Sequence, residues 1–116
     1  MPISAERFEK NRRPLGERIL EILVERGDSA WNMLEIVQLV ESLANTTEAA
    51  IFLTQGKMAD GGDPHTAYWG TIEDMRQRGM IAAVSDKGLV FYRAVPGAVW
   101  TPPPPPTQPR ISGSSV

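Results

Sequence analysis

The chain has no cysteine and one histidine. The missing thiols exclude disulfide staples, thiolate zinc sites and cysteine nucleophiles. A lone His65 leaves little from which to assemble an imidazole-based metal or catalytic site. Long apolar runs are also absent. None exceeds residues 49–53 in length, whereas a membrane-spanning helix needs roughly 20 apolar residues. Residues 1–7 are charged, so neither a signal peptide nor a membrane span is expected, and the expected location is cytoplasmic. Aromatic residues make up only 7% of the chain, and there is no surplus of positive charge, the net being −2.

What is present is a chain of 116 residues with 41% hydrophobic content, enough for one small core but not for a multidomain enzyme. Charge is unevenly placed. Residues 1–18 sum to +2, residues 19–63 to −6 and residues 64–116 to +2. A polarised chain of this kind can still present a basic face to phosphate.

Residues 4–12 read as a short helix capped by Ser4 with Phe8 turned inward, or as a frayed basic arm. Leu15, Ile19, Ile22 and Leu23 have the spacing of an amphipathic helix closed by Gly27. Asp28 or Ser29 then caps a second helix to about Ala44, with Trp31, Leu34, Val37, Val40 and Leu43 as an apolar stripe widened by Met33, Ile36 and Leu39. That breadth predicts burial on more than one side, within one core or against a second subunit. Asn45-Thr46-Thr47-Glu48 has the form of a capping box and predicts a third helix from Thr46 to about Met58. Past Val95 the composition turns to proline, with five consecutive prolines at 102–106. Polyproline II is expected there, and disorder over 107–116. Pro106-Thr107-Gln108-Pro109-Arg110 has the outline of a proline-rich ligand, although such tails usually serve as spacers.

The best-defined segment lies between. Asp63 can accept an N–H from the first turn of a helix, Pro64 presets φ for the first helical position, and Gly79 can take the left-handed conformation that ends it. Trp69, Ile72 and Met75, with Tyr68 beside them, fall on one side of this helix, and Trp69 is assigned to the core. Strands over 81–84 and 89–95 follow across Ser85-Asp86-Lys87-Gly88.

Helix, glycine and hairpin in this order resemble the recognition helix and wing of winged helix-turn-helix regulators of the PadR and MarR kind. Trp69, Ile72, Met75, Gly79 and Ile81 fill the family's aromatic, aliphatic, aliphatic, glycine and isoleucine places in register. Phe91-Tyr92-Arg93 is similar to the aromatic-basic return strand of the PadR wing. The resemblance covers roughly residues 64–95, and the link over 59–63 is longer than the tight turn of those regulators. It implies an α+β winged helix-turn-helix over residues 15–95, with four or so helices before a hairpin wing. A basic arm or short helix at 1–14 would precede it, and a proline-rich tail at 96–116 would follow.

Other motifs are weak. His65 near Asp60 and Asp63 is the only candidate metal cluster, and a surface histidine beside a cap is the more ordinary reading. Gly56-Lys57 after an apolar run hints at a phosphate loop, but Ile51 stands where the first glycine belongs and Met58 where a hydroxyl is needed. Glu73 and Asp74 are adjacent on a helix and diverge, a poor acid–base pair. No enzyme and no cofactor is expected. The expected function is sequence-specific binding of double-stranded DNA by a small regulator or repressor, as a homodimer. In helix-turn-helix docking, the N-terminal part of the reading helix meets base edges and a wing tip meets phosphate. This puts His65, Thr66, Gly70, Thr71 and Gln77 at the groove and Lys87 on the backbone. The rival expectation is a winged helix used for protein interaction, with a partner possible through the proline-rich tail. A basic reading face would favour DNA, and an apolar or acidic one would favour the rival.

Overall fold

The structure is a computed structural model that describes residues 2–103. It is α+β. Helices α1 (Ala5–Arg12), α2 (Leu15–Glu25), α3 (Met33–Glu41), α4 (Thr46–Gln55) and α5 (Pro64–Gln77) precede an antiparallel hairpin of β1 (Ile81–Asp86) and β2 (Leu89–Ala94). The expectations for residues 104–116 lie outside the described residues, and no helix among those described is long and apolar enough to cross a membrane.

The core is built where one side of each element meets the others. Ile19 and Leu23 from α2, Ile36 and Val37 from α3, Ala49 from α4, and Tyr68, Ile72 and Met75 from α5 are fully buried. Ile81 and Tyr92 close the core from the hairpin. Helix α1 contributes little: Phe8 is 55% exposed, contrary to the inward placement expected of it. Phe8 is the one large apolar side chain in that short helix, so α1 has no apolar stripe to bury.

Helix ends follow local chemistry. Asn45 Oδ1 accepts from the Glu48 N–H at 2.9 Å and so caps α4, while Glu48 Oε1 accepts from the Ala44 N–H at 3.2 Å. The helix stops at Gln55, three residues before the expected end, where Gly56 takes an extended conformation. Asp63 Oδ2 accepts from the Thr66 N–H at 2.9 Å and Pro64 occupies the first turn of α5. At the other end Gly79 has φ of +82°, and the Met80 N–H donates to the Met75 carbonyl at 2.9 Å. This is the six-to-one closure that a left-handed residue permits.

The second expected helix is corrected at its start. It begins at Met33 rather than after Asp28 or Ser29, because Asn32 and Glu35 form a reciprocal capping box: the Glu35 N–H donates to Asn32 Oδ1 at 2.9 Å and the Asn32 N–H to Glu35 Oε1 at 3.0 Å. Trp31, expected inside that helix, instead pairs with Tyr92 as an isolated antiparallel bridge and exchanges two hydrogen bonds of 2.8 Å with it. One residue thus stands in for a third strand beside β2.

The hairpin register pairs Ile81 with Ala94, Ala83 with Tyr92 and Asp86 with Leu89. Lys87 and Gly88 form the two-residue turn with φ of 53° and 83°. Two successive positive φ values define a type I′ turn, whose twist matches that of the strands. The strand β1 is accordingly two residues longer than expected.

Packing continues beyond residue 95. Trp100 lies against Gly16, where an added Cβ would sit 2.4 Å from the indole Nε1. Arg78 at the end of α5 donates to the Thr101 hydroxyl and carbonyl, both at 2.9 Å, while its Nε holds Asp74 at 3.0 Å.

Candidate interaction surface

The outward side of α5 is fixed by its inward one. Pro64, Tyr68, Ile72 and Met75 are buried, so with 100° per residue the opposite face carries Thr66, Gly70, Glu73 and Gln77. Trp69 lies 100° from Tyr68 and leaves the core. It is 47% exposed, correcting the core assignment. The cause is a phase error of one residue: Tyr68, not Trp69, continues the stripe from Pro64 to Ile72, and its hydroxyl reaches Glu41 on α3.

Trp69 turns toward the hairpin. There it lines a cavity of about 260 Å³ with Met33 and Leu34 at the start of α3, and with Leu89, Val90 and Tyr92 of β2. Leu89 is 53% and Val90 42% exposed. Because Tyr92 directs both its N–H and C=O to Trp31, the alternation of antiparallel bonding directs those of Val90 to the same side. On that side the chain has already turned into α3. The groove therefore presents large apolar side chains next to an open stretch of strand edge.

The charges around this surface are mostly spoken for. Glu73 and Arg76 pair at 2.8 Å, and Asp74 and Arg78 pair at 3.0 Å. The hydrogen bond from Arg76 holds the Glu73 carboxyl below its ordinary pKa. Arg93 Nη2 donates to the Gly27 carbonyl at 2.6 Å, which ties β2 to the end of α2. Asp63 is likewise held below its ordinary pKa, first by the Thr66 hydroxyl donating at 2.7 Å and then by the Thr66 N–H. Lys87 stands exposed at the turn and makes no ion pair among the described residues.

Of the residues expected at a nucleic-acid groove, His65, Thr66, Gly70, Gln77 and Lys87 are all exposed. The Thr66 hydroxyl is engaged with the cap. Thr71 is half-buried and lines two cavities on the flank of α5 away from the hairpin, so it does not share the outward face. Among the described residues no three His, Asp or Glu side chains gather as a metal site. Trp69, Leu89 and Val90 were missed as surface residues. For Trp69 the signal in the sequence is a helix with two adjacent aromatics, only one of which can follow a single stripe; Leu89 and Val90 carry no such signal.

No family model, curated protein or solved structure matches the chain.

Proposed function

We propose that this chain is a winged-helix protein-interaction module, which docks an extended apolar segment of a partner protein in the groove between α5 and the hairpin. The observation that carries the reading is the pair of partly exposed side chains Trp69 and Val90 at one groove, which Met33, Leu34 and, at the tip of β2, Leu89 also line. A winged helix that grips DNA needs cations where the phosphate backbone runs, because phosphate neutralisation supplies most of the affinity. Here Arg76 and Arg78 are bound to carboxylates of their own helix, and apolar side chains occupy the space beside the hairpin. Contiguous exposed apolar surface of this sort is what protein partners cover. The open main chain of Val90 adds a donor and an acceptor for an extended ligand.

The test is site-specific photo-crosslinking in the source cell. A benzoylphenylalanine at position 89 should give a discrete protein adduct that survives nuclease treatment, and one at position 25, the exposed last residue of α2, should not. Equal labelling from both positions would sink the reading. A self-adduct would identify a homodimer as the occupant.

A second reading, DNA binding, is favoured by one observation: Lys87 projects at the hairpin tip while His65, Gly70 and Gln77 are exposed on α5. On that reading a duplex from the protein's own upstream region binds at low salt with Kd below about 10 μM, and Lys87→Ala makes the log–log salt slope shallower by about one unit.

A further inference from the structure

On the flank of α5 away from the hairpin lies a cavity of about 490 Å³. Its walls come from the α1–α2 junction, α2, the end of α3, α4, the α4–α5 link and α5. That volume is within the range of small-molecule sites. One part of the wall is apolar, with Leu15, Phe52 and Met58. The rest is charged. Arg12, Arg13, Arg18 and Lys57 line the cavity against only two acids, Glu41 and Asp60.

The neutralisation of these groups is uneven. Arg12 pairs with Glu9, and Arg13 with Glu17 and Glu21. Glu41 is engaged by the Tyr68 hydroxyl and lies 3.8 Å from Arg18 Nη2. Asp60 accepts from the Gly62 N–H at 2.8 Å. Two cations remain under-used. The Arg18 side chain is only 7% exposed; besides its long ion pair with Glu41 its hydrogen bonds among the described residues are two long ones from Nη2, to Val40 at 3.3 Å and Asn11 at 3.4 Å. Its Nε is sealed off from the cavity as well as from solvent, whereas its Nη1 makes no hydrogen bond among the described residues and is not shut off, which leaves Nη1 as the donor that can face a ligand. Lys57 makes no ion pair among the described residues. A buried guanidinium with unused donors is costly unless something completes its hydrogen bonding.

We infer that this cavity binds a small amphiphilic oxoanion, its carboxylate or phosphate held by Arg18 and Lys57 and its apolar body against Leu15, Phe52 and Met58. Arg18 offers the charge-assisted donor of its unengaged Nη1 to one oxygen of the head group, while Lys57 adds a point charge. The site is distinct from the groove at Trp69, so either assignment stands without the other. Because Ala67 and Thr71 of α5 form part of the wall, a bound anion would touch the helix that carries Trp69.

Titration of the full chain, followed by amide and side-chain NMR shifts, tests this with hexanoate, hexyl phosphate, hexanol and hexylammonium. At least one anion should saturate at millimolar concentration, with shifts confined to Arg18, Phe52, Met58, Ala67 and their neighbours. Binding by hexanoate alone identifies a carboxylate ligand, by hexyl phosphate alone a phosphoryl one, and by both the wider class. Lys57→Met should weaken the anion about fivefold or more without changing the melting temperature, since Lys57 is exposed. Arg18→Lys should weaken it further; if that variant does not fold, the Lys57 variant decides. Hexanol or hexylammonium binding as tightly as the anions, shifts scattered over Lys87 and Arg93, an unaffected Lys57→Met variant, or no shift by about 20 mM would each overturn the assignment.

Discussion

The Tyr68 hydroxyl, on the buried side of α5, donates a hydrogen bond to Glu41 Oε2 at the last residue of α3. Burial first, and the facing Glu41 carboxylate second, push the phenol far above its ordinary pKa, so it acts as a donor across the accessible pH range. The bond joins α3 to α5 through two residues 27 positions apart in sequence and fixes which way α5 is turned. With Tyr68 held inward, Trp69 must face the hairpin. Tyr68→Phe keeps the ring and removes the donor to a partly buried carboxylate. It should lower stability by about 1–2 kcal/mol, read from the urea midpoint at unchanged slope. An unchanged midpoint would mean that water replaces the bond without cost.

Gly79→Val should destabilise by roughly 1–2 kcal/mol or more, and Gly79→Asn by less, since Asn tolerates the left-handed region. An added Cβ would meet nothing within 4 Å, so the penalty is backbone strain and not crowding. Equal denaturation midpoints for the two variants would contradict this account of the helix stop.

Trp100→Ala should cost about 1–2 kcal/mol, below the range for a fully buried tryptophan because the indole is only partly covered. Gly16→Ala should disturb the same contact from the other side, and the fluorescence of Trp100 should shift toward that of exposed indole. Loss of neither stability nor the emission shift would show that the segment after Gly97 rests on the domain without supporting it.

Acid should loosen the start of α5 before the core. Asp63 and Glu73 have folded pKa values below their ordinary ones, so each contributes stability that is present above the unfolded carboxyl range, about 4, and is lost as pH falls through the folded value. The protection factor of the Thr66 amide, its exchange relative to the intrinsic rate at the same pH, should therefore fall below about pH 4, and Asp63→Ala should remove that dependence while keeping protection low. A Thr66 amide whose protection is flat down to pH 2 would count against the cap.

These features differ in how far they could be read from residues alone. The start and end of α5 are legible because Asp63, Pro64 and Gly79 each act within a few residues of themselves. Trp31 is opaque because a one-residue bridge has no periodicity, and its partner Tyr92 is 61 residues away. The groove was hidden by the adjacency of Tyr68 and Trp69: apolar stripes can be drawn through either, the one through Trp69 is off by one position, and the burial of Tyr68 with its bond to Glu41 distinguishes them. Charge patterning misled in the same way. The basic residues of the C-terminal segment look available in sequence, but Arg76, Arg78 and Arg93 are spent on Glu73, Asp74 and the Gly27 carbonyl.

The central claim is that the α5–hairpin groove docks protein. Its most direct measurement is nuclease-treated photo-crosslinking in the source cell, with the photoreactive residue at position 89 and, as control, at position 25. A single dominant protein adduct from position 89, abolished by Trp69→Ala and absent from position 25, is the predicted result. A nuclease-sensitive adduct from position 89, with no protein adduct, would contradict the claim and return the surface to DNA.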